Sequence, residues 1–252
     1  MPASRWNSNF NELYQWIGDT DDELLSMIMP SLFSRAPKKE TGNKDEPVQV
    51  SEQGKLPDVL PILPLRGVVV YPNTAVPLTV GQPRSIRLVD EVVGGDKLVG
   101  LVAATNPELE TPSPADLYRI GTIATVHRLL RAPDGTIRLL VQGMSRFRLG
   151  EFVQEEPYLK ARIELAPEQV EQGLEIDALA RNARDQFQQI TQMIPSFPEE
   201  LAGSITSVED PLQTAYTIAN FQRMDLKDAQ EILTIDSVSE KLKKLVGLLA
   251  RE

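Results

Sequence analysis

The stretch LPILPLRGVVVYPNTAVPL, Leu60 to Leu78, sets Pro61, Pro64, Pro72 and Pro77 into sequence that is otherwise apolar and strand-like. Proline fixes φ and removes a backbone donor, so these positions are expected at strand starts, sheet edges or bends, outside any central ladder. Between them runs a stiff apolar loop. Its side chains Leu65, Val68, Val69, Val70, Tyr71 and Pro72 exceed what a short connection needs for solubility. Exposed apolar patches mark protein-binding sites. Leu65, Val68, Val69, Tyr71 and Pro72 are therefore the candidate substrate-binding residues, the competing reading being that half of the run packs beneath the loop.

Working outward, residues 59–168 read as short strands divided by turns. Leu60–Leu63, Ala75–Val80, Leu98–Ala103, Gly121–Leu130, Thr136–Phe147 and Leu159–Glu164 carry the apolar patterning of strands. One helix interrupts them: Pro83 suits a first helical turn, Ile86, Leu88, Val89 and Val93 supply a stripe, and Gly94-Gly95 stops it. Ala132-Pro133-Asp134-Gly135 is a hairpin turn by its chemistry, proline at the first corner and glycine where φ turns positive. Such strands suit a small twisted barrel or a pair of packed sheets.

From residue 169 to 252 the period changes to 3.6. Ile176, Leu179, Ala180, Ala183, Phe187, Ile190 and Ile194 share one face of a long helix, with Glu175, Asp177, Arg181 and Asp185 opposite. Asp210-Pro211 opens a second helix, Asp225 a third, and Ser237 with Glu240 a fourth in capping-box spacing. Four inward stripes make a helical bundle, expected to lie beside the β-rich part with a groove between them.

Taken with DLYRIGTIATVHRLL (Asp116–Leu130) and DGTIRLLVQGMSRFRL (Asp134–Leu149), the proline-rich stretch resembles the N-terminal substrate-recognition domain of the Lon family of ATP-dependent proteases, over roughly residues 59–252. The resemblance implies an α+β chain: a PUA-like β-rich barrel followed by a helical bundle. It implies a non-catalytic role, the recognition of unfolded, damaged or degron-bearing proteins, with help in arranging a hexamer. AAA+ and protease modules of the same family are the implied partners if the natural chain continues past Glu252. A stand-alone PUA-like adaptor or RNA-binding module is the alternative.

Composition bounds these readings. The 252 residues, 41% hydrophobic, can bury a substantial core, and the formal charge of -10 counts against nucleic acid as main partner. With no cysteine there is neither a disulfide framework nor a thiolate metal site, and a cytoplasmic location is the natural expectation. No run of about eighteen apolar residues indicates a membrane span, and Glu12, Asp19, Asp21, Asp22 and Glu23 interrupt any secretory signal. Gly54-Lys55 fails as a P-loop, because Gln49 stands where glycine belongs and Leu56 where Ser or Thr belongs. Nothing matches the family's Ser–Lys dyad. His127 is the sole histidine and reads as a packed or edge-strand residue, while Glu155-Glu156, Glu199-Glu200 and Asp21-Asp22 read as solvated faces or helix starts. No catalytic residue, cofactor site or metal site is assigned. Lys241, Lys243 and Lys244 read as the outer face of the last helix.

Residues 1–33 hold both tryptophans, Trp6 and Trp16, and two short helical patterns: Phe10, Leu13, Tyr14 and Ile17 behind Ser8, then Leu24, Leu25 and Ile28 behind Thr20. Residues 34–58 read as a flexible linker rich in Lys, Glu, Gly and Pro. The resemblance does not extend to this segment. Packing or self-association is the expected role of its helices, with partner binding or occupation of the substrate groove as alternatives.

Overall fold

The structure, a computed structural model, describes residues 56–194, 197 and 199–251. The aromatic segment and nearly all of the linker therefore lie outside the described residues. Six strands follow one another as β1 (Val59–Leu65), β2 (Ala75–Val80), β3 (Leu98–Ala103), β4 (Ile120–Arg131), β5 (Ile137–Gln154) and β6 (Lys160–Leu165). Helix α1 (Pro83–Gly94) separates β2 from β3. Their order is β2-β5-β4-β3-β1-β6, and β6 pairs again with β5, closing β5-β4-β3-β1-β6 into a barrel. β5 serves both ends because it is long and bends: its first half carries β2, its second half β6. Register shifts at Leu149/Phe152 and Phe152/Gln154 mark bulges, which turn a strand without ending its ladder.

Pro72 and Pro77 meet the sequence expectation, whereas Pro61 and Pro64 are placed differently, for a reason visible in the ladders. Pro61 and Pro64 lie inside β1, an interior strand. β1 is paired by β6 over Val59–Pro61 and by β3 from Ile62 onward. Ile62 donates its N–H toward β6, to Leu159 O at 2.8 Å, so by strand alternation Pro64 also faces that side, beyond Lys160, the first residue of β6. Pro61 faces β3 one residue before the β1–β3 ladder starts. Neither proline interrupts a bond. Pro77 lies on β2, the edge strand, and Pro72 in the turn Tyr71–Thr74, where Asn73 takes φ 55°, the geometry of a type II turn.

Pro64 and Pro77 thus stand on the two strand edges that the partial closure leaves open. The space between them is a groove of about 460 Å³ lined by Leu63–Val68, Pro77–Val80 and the start of α1. A proline on an open edge withholds the donor a stray strand would pair with.

The chain then turns helical: α2 (Leu174–Gln192), α3 (Glu199–Thr206), α4 (Pro211–Phe221), α5 (Leu226–Thr234) and α6 (Val238–Leu249). That is one helix more than the four stripes indicate. α3 is eight residues long and contains Gly203 and Ser204, too short and too weakly helical to show a stripe. At α4 the Asp210 carboxylate accepts from Gln213 N at 2.7 Å, as its spacing indicates. At α6 the Ser237 hydroxyl accepts from Glu240 N, but the carboxylate that gathers Val238 N and Ser239 N comes from Glu171, far away in sequence. Bonding to the Ser237 hydroxyl, chiefly, holds the Glu171 carboxyl below its usual range.

His127 is exposed, not packed: it occupies the bulge between Val126/Val141 and Arg128/Leu140 on β4, an interior strand. Among the described residues no group of three or more His, Cys, Asp or Glu could hold a metal ion, and no helix is long and apolar enough to cross a membrane.

Candidate functional site

The apolar run after β1 is not an exposed patch. Leu65, Val69, Val70 and Tyr71 are 2–7% exposed, Pro72 is buried as well, and Val68 is half-buried. The reason is two-sided packing. Leu65 and Val70 join the barrel core with Leu88 and Leu139, whereas Val69 and Tyr71 join the helical core with Phe187, Tyr216 and Leu245. A run that is apolar on both faces is what a strand-like segment needs when it is clamped between two layers. Its backbone is fixed too: Thr122 Oγ1 donates to Val70 O at 2.6 Å, and Gly143 exchanges bonds with Asn73 and Thr74. A Cβ at Gly143 would stand 2.2 Å from the Tyr71 carbonyl, so only glycine admits this approach.

Tyr71 carries the run into the helices. Its ring stacks on Tyr216 with centroids 5.4 Å apart, and its hydroxyl donates to Ala229 O at 3.0 Å. Burial pushes both phenol pKa values far up, so neither ring ionises near neutrality.

Beside this stack lies a charged clasp that sequence reading missed. Arg146 of β5 is 1% exposed. Its guanidinium donates to Leu233 O at 2.6 Å, Thr234 O and Ile235 O, the free carbonyls ending α5, and to Ala166 O. It also pairs with Glu168 at 3.0 Å and Asp236 at 2.7 Å. A cation suits the negative end of a helix, and the planar guanidinium can serve several acceptors at once. Lys241, expected on the outer face of α6, is fully buried instead. Its Nζ donates to Ile232 O and sits 4.7 Å from the centre of the Tyr216 ring, whose hydroxyl donates to Glu168. Burial first, and the Arg146 charge second, lower the Lys241 pKa to about 7. The signal was present: Lys241 is three residues after Val238 and four before Leu245, on the buried stripe.

Clasp and stack hold the helices against the barrel, and a groove of about 510 Å³ remains where the two meet. One wall is Asn73–Ala75, the end of the Tyr71–Thr74 turn and the start of β2, with Gln142 of β5; the other is α3, the α3–α4 loop and α4. Ile205 and Phe221 give it an apolar floor, both buried. Gln213, Thr217 and Asn220 line it from α4, the helix whose Tyr216 is held in the clasp. Gln213 Nε2 reaches across to Asn73 O at 3.2 Å. Arg184 of α2 fixes the α3–α4 loop by donating to Val208 O at 2.9 Å, and so sets the rim residues Glu209 and Asp210. The volume suits a few side chains of a bound chain.

Residues 59–251 match the family model of the ATP-dependent protease La (LON) substrate-binding domain. The chain belongs to this family. It is 43% identical over 204 residues to Lon protease of Dictyoglomus thermophilum and 42% identical over 209 residues to Lon protease 1 of Herpetosiphon aurantiacus. Each match covers 81% of this chain and 26% of the relative, so the chain spans about a quarter of those proteins. In fold it is similar to the N-terminal domain of Mycobacterium avium complex Lon protease, with TM-score 0.63 and 19% identity over 76% of this chain and 98% of that one. A Lon N-terminal domain protein from Xanthomonas campestris gives TM-score 0.52 and 16% identity over 75% and 97%. The Lon-type fold expected from the proline-rich stretch, barrel first and helices after, is the fold observed.

Proposed function

We propose that this Lon-family domain is a non-catalytic module of an ATP-dependent protease and that it selects unfolded or degron-bearing proteins through the groove between barrel and helices. The observation that carries the proposal is the groove itself: an apolar floor between two subdomains whose mutual position the Arg146 clasp and the Tyr71–Tyr216 stack fix. A rigid, preorganised groove loses little entropy on binding. Weak capture suffices if the domain is tethered to a processing module, since tethering converts low affinity into high local concentration. Val69, Tyr71 and Pro72 contribute by position, leading into the wall Asn73–Ala75, whereas Leu65 and half-buried Val68 line the separate groove beside Pro64 and Pro77. The cysteine-free composition accords with a cytoplasmic setting.

Thr217 is half-exposed on the groove wall. Thr217→Arg should fill the groove and lower affinity for a chemically unfolded protein by about tenfold while leaving the melting temperature in place, a loss of ~1.4 kcal/mol. Undiminished affinity in a folded Thr217→Arg protein would remove the groove from substrate recognition.

A further inference from the structure

The chemistry around the groove narrows what it should bind. Gln142, Gln213 and Asn220 bring carboxamides to its walls, and Glu209 and Asp210 bring carboxylates to its rim. None of its lining residues is Lys, Arg or His. Carboxamides both donate and accept, which matches an extended peptide backbone whatever its sequence, whereas carboxylates only accept. Glu209 and Asp210 are both exposed, and Asp210 spends one acceptor position on the N-cap of α4, to Gln213 N. The rim is held in place by Arg184, which binds Val208 O and Thr214 Oγ1 from the helical side.

We infer that the groove favours extended polypeptide in which an apolar residue is followed or preceded by Lys or Arg: the apolar side chain enters over Ile205 and Phe221, the cation meets Glu209 and Asp210. This inference rests on the proposed recognition of unfolded protein at the same groove and adds its charge class. Complementary charge at an interface rim raises encounter rate and selectivity more than affinity, and fades with salt.

The test uses the 252-residue chain and three peptides that share one apolar core and differ in flanks of Lys, Ser or Glu. Expected is affinity about fivefold higher for the Lys-flanked peptide than for the Glu-flanked one, the upper size of an exposed ion pair, with the gap shrinking as salt rises. Glu209→Gln should narrow that gap, while Asp96→Asn, which removes the same charge from an exposed residue outside the groove lining, should narrow it less. Equal affinities for all three peptides, with amide shifts at Ile205 and Phe221, would overturn the charge class and leave the groove reading standing. An equal effect of Glu209→Gln and Asp96→Asn would show that only net charge attracts the peptide and would overturn the inference. Shifts confined to residues outside the groove would overturn the inference and the recognition it rests on.

Discussion

Tyr71 and Tyr216, separated by 145 positions in the chain, stack with centroids 5.4 Å apart and an interplanar angle of 24°. One ring belongs to the segment after β1, the other to α4, so the pair joins barrel to helices. The Tyr71 hydroxyl adds a third element by donating to Ala229 O of α5.

Removing that ring should unfold the interface rather than merely weaken a binding surface. Tyr71→Ala is expected to cost about 3–5 kcal/mol, the range for deleting a buried aromatic ring. Tyr71→Phe keeps the stack and loses the bond to Ala229, for about 1 kcal/mol. Urea unfolding followed by far-UV circular dichroism measures both. Equal, small losses in the two variants would deny Tyr71 its structural role.

The Arg146 clasp is expected to be the most sensitive polar site. Arg146→Ala leaves the α5 carbonyls and the largely buried Glu168 without their cation, a change expected to cost about 3–5 kcal/mol. Arg146→Lys should recover only part of this, because a single ammonium cannot reach the acceptors that the guanidinium fork serves. Thermal unfolding of the three proteins at one pH gives the ranking, and full recovery by lysine would contradict it.

Lys241 gives a pH signature with a definite sign. Its pKa is lowered to about 7 in the folded chain, against 10.5 ordinarily. Between those values the unfolded chain binds the proton and the folded chain does not, so this group makes stability rise with pH, by up to about 1.4 kcal/mol per unit. Measured from pH 7.5 to 9.5, below the ordinary tyrosine range, wild type should therefore gain on Lys241→Met as pH rises. Parallel stability profiles would mean that Lys241 is charged in the folded state throughout.

Pro64 and Pro77 guard the open strand edges. Pro77→Val restores a donor on the outer side of β2 and Pro64→Val one on the β6 side of β1, so each is expected to speed aggregation in the native buffer, most in the double variant. Light scattering over time at fixed concentration reads the effect. Aggregation no faster than wild type would assign the prolines to turn geometry alone.

Much of this fold is legible in sequence because its signals are local. Asp210-Pro211 and Ala132–Gly135 carry their own capping and turn chemistry, and the two appear where that chemistry places them. What was not legible depends on long-range partners. Whether Val69 and Tyr71 face solvent or a second layer is decided by α4 and α5, about 150 residues later, and an apolar loop reads alike in both cases. Arg146 looks like an ordinary alternating strand residue until the end of α5 is brought over it. Lys241 was readable from its stripe and was passed over because lysine is so rarely buried. The groove belongs to neither half of the chain, so no single motif announces it.

The proposed capture of unfolded protein between barrel and helices is tested by NMR titration of the isotope-labelled chain with an unfolded polypeptide and, in parallel, with its folded counterpart. Expected are saturable amide shifts at Asn73, Gln142, Ile205, Val208 and Phe221 with the unfolded form only. Shifts that are identical for both forms, or that leave these five residues unmoved at saturation, would contradict it.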